Sequence, residues 1–233
     1  MDPTMFKRPL ALLLGLLLCA AVGCAGSRDQ SSFWPWQEKK KGPPGMVSPT
    51  EQLAMLHELA QKSESRTAQQ KQQVAGLLLS MLAKEQDPLL RAEIVRTLRK
   101  FPTPESLVAV QGALKDSEAD VRVAACEALG RMGGPQAVGG LSEALRGDVD
   151  VDVRMAAARA LGETRDPASL VALGSALDDK DPAMQYQAVA SLKNVTGKDL
   201  GNDVRRWQQF VKGELPEPAP PVSIAERMRH MLW

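Results

Sequence analysis

The residues here whose types could do chemistry are few: Cys19, Cys24, Cys126, His57, His230 and a run of acidic turns. The two histidines lie far apart in the chain, and no CxxC, HExxH, GxSxG or glycine-rich phosphate loop occurs. Ordinary zinc and transition-metal sites draw on clustered Cys and His, so no metal and no cofactor is expected. Asp116, Asp120, Asp148, Asp150, Asp152 and Asp181 are carboxylates, but they lack the fixed loop that a calcium site uses. Their places at the predicted starts of helices suit them to capping free N–H groups and facing the positive dipole end. Cys126 stands among Ala124, Ala125 and Ala128, where a thiol acts as a small hydrophobe, so it reads as structural rather than reactive. Arg91, Arg122 and Arg154 could line a basic groove, but nearby aspartates should neutralise it. With a net charge of +1, nothing global calls for nucleic acid or an acidic partner. The inventory is that of a non-enzyme with no small-molecule substrate.

Cys24 sits in a different context. Lys7 and Arg8 precede an apolar run of fourteen residues, Leu10 to Gly23. A membrane-spanning helix needs about 20 apolar residues, so this run reads as the core of an export signal. Its end, Ala21-Val22-Gly23-Cys24, resembles the lipobox of bacterial lipoproteins. The resemblance implies cleavage before Cys24, whose thiol takes a diacylglycerol, and hence a membrane-anchored protein of the cell envelope. Ala21 stands where that family usually has Leu. Ala25, rather than Asp, follows the cysteine, which by the same resemblance favours the outer membrane. An ordinary secretory signal is the alternative. Residues 1–23 are thus read as a lipoprotein signal peptide and 24–48 as the lipidated cysteine with a flexible tether. The tether carries Trp34, Trp36 and Lys39 to Lys41, which either lie at the bilayer surface or belong to a solvated spacer.

The rest of the chain must supply the elements that a tethered protein presents. VRVAACEALG from Val121 returns as VRMAAARALG from Val153. Arg91, Arg122, Arg154 and Gln185 are spaced 31, 32 and 31 residues apart, and so are Leu98, Leu129, Leu161 and Leu192. Leu82, Leu114, Leu145 and Leu177 mark a second series at the same period. Aromatics are only 4% of 233 residues, while Ala and Leu are frequent, which suits close-packed helices. A period near 32 with two helical segments per unit predicts an all-α solenoid of about four helix pairs, stable only when stacked and capped. Gly130 and Gly162 are expected at helix C-termini, where a left-handed backbone costs glycine least.

The pattern is similar to HEAT repeats, in particular the short bacterial kind first named from phycobilin lyases. In the cleanest unit the matching residues are Asp150, Val153, Arg154, Ala157, Leu161, Gly162, Asp166, Pro167, Leu170, Leu173 and Leu177. The resemblance implies that Arg91, Arg122 and Arg154 form a ladder to acids of neighbouring repeats. It spans residues 67–195, preceded by a capping helix at 49–66. Residues 196–213 resemble the terminal segment of such arrays, with Trp207 and Phe210 expected to cap the last apolar face. A proline-rich linker (214–221) and an amphipathic helix (222–233) follow, the latter docking on a partner, on the solenoid or on the membrane. The expected function is a lipid-anchored protein-interaction scaffold with an unidentified protein partner. The alternatives are a bilin lyase or isomerase by analogy of fold, or a structural protein bridging two envelope surfaces.

Overall fold

The computed structural model describes residues 47–214. The export signal, Cys24, the tether and nearly all of the two C-terminal segments (residues 215–233) lie outside the described residues.

Ten helices and no strand occur among the described residues: α1 (Pro49–Gln61), α2 (Ala68–Leu82), α3 (Pro88–Leu98), α4 (Pro104–Ala113), α5 (Ala119–Met132), α6 (Pro135–Gly147), α7 (Val151–Thr164), α8 (Ser169–Ala176), α9 (Pro182–Thr196) and α10 (Val204–Val211). Their starts follow from local chemistry. Ser48 and Thr67 form capping boxes with Glu51 and Gln70, satisfying two free N–H groups reciprocally. Asp87, Asp150, Asp181 and Asp203 accept from the first-turn N–H groups of α3, α7, α9 and α10. Pro at the first turn of α1, α3, α4, α6 and α9 removes a donor that has no intrahelical partner there.

The helices form two rows. In one, α3, α5, α7 and α9 stack on each other in order, and α1 packs on α3 at the head of the row. In the other, α2, α4, α6 and α8 follow one another, each packed mainly on first-row helices, with α6 and α8 also touching each other. At the far end α10 packs on α8 and α9, so the array opens with an unpaired first-row helix and closes with an unpaired second-row one. One apolar core runs through the stack. Ile94, Leu98, Ala125, Leu129, Ala157, Leu161, Ala188 and Leu192 are fully buried, and these are the positions that recur at the 31- or 32-residue period.

Gly130 and Gly162 correct the sequence expectation. Neither ends a helix: both lie inside α5 and α7 and are buried. A Cβ on Gly130 would stand 2.9 Å from the Cα of Ala160, and one on Gly162 would stand 2.7 Å from the Cβ of Ser191. These glycines let successive first-row helices approach almost backbone to backbone. The left-handed positions fall later, at Gly133 (φ 69°) after α5 and Gly197 (φ 67°) after α9. After α7 the position is held by Arg165 (φ 52°), the one non-glycine with positive φ among the described residues.

Candidate interaction surface

The two ends of the first-row helices carry different chemistry. At their N-terminal ends stands the arginine series. Arg91 sends Nε and Nη2 to the two carboxylate oxygens of Asp116, at 2.9 and 2.8 Å. Arg122 does the same to Asp148, at 2.8 and 2.9 Å. Each arginine also donates backwards, to the carbonyls of Gln86 and of Asp116 and Ser117 respectively. Each guanidinium thereby ties the turn before its own helix to the turn of the next repeat. The aspartates in turn accept from the N–H groups of Glu118 and Asp150, which shapes those turns. The hydrogen bonds from Arg91 outweigh burial and hold the Asp116 carboxyl below its ordinary value of 3.8. For Asp148 burial pushes upward most strongly. The Arg122 hydrogen bonds, the Asp150 N–H and the charges of Arg122 and Arg154 together overcome it, so this carboxyl also lies low.

Arg154 departs from the expected ladder. It donates to the Asp148 carbonyl at 3.0 Å but makes no ion pair among the described residues. It lines a small cleft of about 260 Å³ together with Asp179, the residue in register with Asp148, and the two do not bond across it. Gln185 takes the backward bond alone, to the Asp179 carbonyl at 2.7 Å, having no second arm to reach forward. The ladder has two rungs.

Trp207 is fully buried beneath the last repeat, its indole N–H donating to the Gly201 carbonyl at 2.9 Å. Phe210 meets it edge to face, with ring centroids 5.8 Å apart, and Lys198 lies 4.5 Å above the Phe210 ring. Gly174 on α8 makes room for Val211: a Cβ there would come within 2.6 Å of it. Cys126 is buried in α5, and desolvation pushes its thiol up to about 12, so it offers no thiolate near neutral pH. Among the described residues no three of His, Cys, Asp and Glu gather where a metal could bind. His57 pairs with Glu93 at 3.1 Å on the outside.

The C-terminal ends of α3, α5 and α7 surround a cleft of about 680 Å³, within the range of about 300–1,000 Å³ typical of binding sites. Arg99 and Lys100 come from the end of α3, Arg131 from α5, Glu163 and Arg165 from the end of α7, Asn194 from α9, and Glu64 and Lys71 from the start of α2 and the turn before it. Lys71 pairs with Glu64 and Arg131 with Glu163, at 3.9 and 3.7 Å. Arg99, Lys100 and Arg165 have no ion-pair partner among the described residues. The Arg99 Nε is buried without a hydrogen bond, as is that of Arg66 in the turn beside Glu64. Sequence reasoning passed over these residues, since they lie just past the motif. The register following each motif leucine reads Arg99-Lys100, Gly130-Arg131, Gly162-Glu163 and Lys193-Asn194, so the repeats differ in charge there.

Comparison with known proteins agrees with the architecture. The family model for HEAT repeats matches residues 76–150 and 138–205, together more than half of the chain. Human deoxyhypusine hydroxylase, solved in complex with glycerol, is similar over 53% of this chain and 44% of its own, at 28% identity and a TM-score of 0.48. The chain thus spans less than half of the hydroxylase's length. The complex of CpcE and CpcF of phycocyanin lyase from Nostoc sp. PCC7120 is similar over 68% of this chain and 96% of that one, at 19% identity and a TM-score of 0.45. No curated protein matches the sequence. With the period of its leucines, the two stacked rows and the family model in agreement over the same residues, the chain belongs to the HEAT-repeat family.

Proposed function

We propose that this protein is a non-catalytic protein-interaction scaffold, anchored by lipid to a membrane of the bacterial cell envelope. The observation that carries the scaffold reading is the array itself. Its shared positions are spent on packing, which leaves a long surface whose residues differ from repeat to repeat. The chemistry-bearing groups point the same way: the buried thiol is held protonated, and the recurring arginines are occupied in tying turns together. What supports the anchor is the order of basic start, fourteen-residue apolar run and Gly23-Cys24. Two or three acyl chains on one cysteine hold firmly, since each buried CH₂ contributes about 0.8 kcal/mol.

Two experiments test the halves separately. Metabolic labelling with palmitate should mark the mature protein, and Cys24→Ser should abolish the label; unchanged labelling of the variant refutes the anchor. Cross-linking followed by affinity capture from envelope extract should return the same protein partner reproducibly. Failure to recover any partner, with the anchor or without it, refutes the scaffold.

A further inference from the structure

We infer that the cleft at the C-terminal ends of α3, α5 and α7 is the docking site for an acidic linear segment of a partner protein. The inference rests on the scaffold reading and adds the surface and the chemistry of its occupant. Arg99, Lys100 and Arg165 enter this one recess from two repeats, and none forms an ion pair among the described residues, the lining carboxylates Glu64 and Glu163 being paired with Lys71 and Arg131. Elsewhere Arg91, Arg96 and Arg122 each hold an acid of the following repeat, and Arg154, without an ion pair among the described residues, lines a small cleft together with Asp179. Cations at helix C-termini are favourable in their own right, because the dipole end is negative. That effect does not account for the burial of the Arg99 Nε without a hydrogen bond among the described residues, a cost that Arg66 in the turn beside the cleft shares. Nor does it account for Arg165. A side chain at φ 52° is held there against steric cost, where Gly would sit freely, and its guanidinium lines the recess.

The lining chooses among anionic partners. The cleft has no aromatic residue on which a base could stack, which disfavours nucleic acid. It is a recess rather than a raised basic face, which disfavours a lipid surface. Glu64 and Glu163 also line it and repel a continuous polyphosphate. A peptide spaces its carboxylates and offers N–H groups between them, which Glu64, Glu163 and Asn194 can accept.

The test uses the full chain and a fluorescein-labelled peptide of alternating glutamate and serine followed by anisotropy. Saturable binding is expected, weakening as salt rises, and about tenfold weaker in K100E/R165E. Lys84→Glu and Lys180→Glu, exposed cations outside the cleft, should leave it unchanged. Arg165→Gly removes the charge while relieving the backbone, so it should weaken binding with no loss of melting temperature, which separates loss of the site from loss of the fold. Absence of saturable binding, equal binding by the cleft variants, or tighter binding of oligo-uridylate or phosphatidylserine vesicles overturns the inference. In cross-linking from the envelope, partners retained equally by wild type and K100E/R165E overturn this inference alone. No partner for either overturns the scaffold reading beneath it.

Discussion

Replacing Arg122 by methionine removes four hydrogen bonds and one charge from the joint between the second and third repeats. Two bonds go to the Asp148 carboxylate and two to the carbonyls of Asp116 and Ser117. The pair is well shielded, with side-chain exposures of 12% for Arg122 and 8% for Asp148. Breaking a buried pair from one side costs about 3–5 kcal/mol. Asp148 keeps the Asp150 N–H and the charge of Arg154, so the lower end applies, about 3 kcal/mol. At a urea m-value of about 2 kcal/mol/M that loss moves the unfolding midpoint down by about 1.5 M. Arg154→Met is the internal comparison. The same motif position there makes one bond to a carbonyl and no ion pair among the described residues, so about 1 kcal/mol is expected. The R122M/D148N double variant should recover part of the loss, because it leaves no unpaired carboxylate. The pH dependence has a definite sign. Both Asp116 and Asp148 titrate below 3.8 in the folded protein. Their contribution is therefore complete above about pH 4–5 and lost as pH falls through the ordinary carboxylate value toward the lower folded ones. The gap between wild type and R122M should shrink over that same acid range. Equal stabilities for R122M and R154M, within about 0.5 kcal/mol, or a gap independent of pH, would refute the two-rung ladder.

Four further outcomes follow from the packing. Gly162→Ala should destabilise by about 1–3 kcal/mol, because the new methyl meets Ser191 backbone at 2.8 Å. Gly139→Ala, in the open middle of α6 with nothing within 4 Å, should instead stabilise by about 0.5–1 kcal/mol; thermal melts distinguish the two. Trp207→Ala should cost about 3–5 kcal/mol, and hydrogen exchange should show protection lost first in α8 and α9, on which α10 packs. In a Cys19→Ser/Cys24→Ser background, Cys126 should resist a thiol reagent near neutral pH in the native protein and react fully in denaturant.

The fold was legible because packing repeats what it needs. Leu98, Leu129, Leu161 and Leu192 face one core from successive first-row helices, so their spacing is the stacking period itself. Gly130 and Gly162 were misplaced for a physical reason. A glycine after the last motif leucine suits a helix end, but Arg131-Met132 and Glu163-Thr164 continue the helix in both cases. Their use as contact points depends on where the next helix runs, which one segment alone does not reveal. Arg154 is a similar case. Its register matches Arg122, yet whether an acid lies within reach depends on the turn of the following repeat. The cationic cleft was hidden more deeply. A net charge of +1 spreads over the whole chain, whereas Arg99, Lys100 and Arg165 converge only once the repeats are stacked.

The claim that this array works by holding a protein on its variable surface has a direct measurement. A photo-reactive amino acid placed at Lys100, inside the cleft, and separately at Val108, exposed on the second row, reports what each surface touches in the living cell. A discrete protein adduct from position 100, weakened by Arg165→Glu, and none from position 108 is the predicted result. Adducts to lipid or nucleic acid alone, or no adduct from either position, would contradict the account.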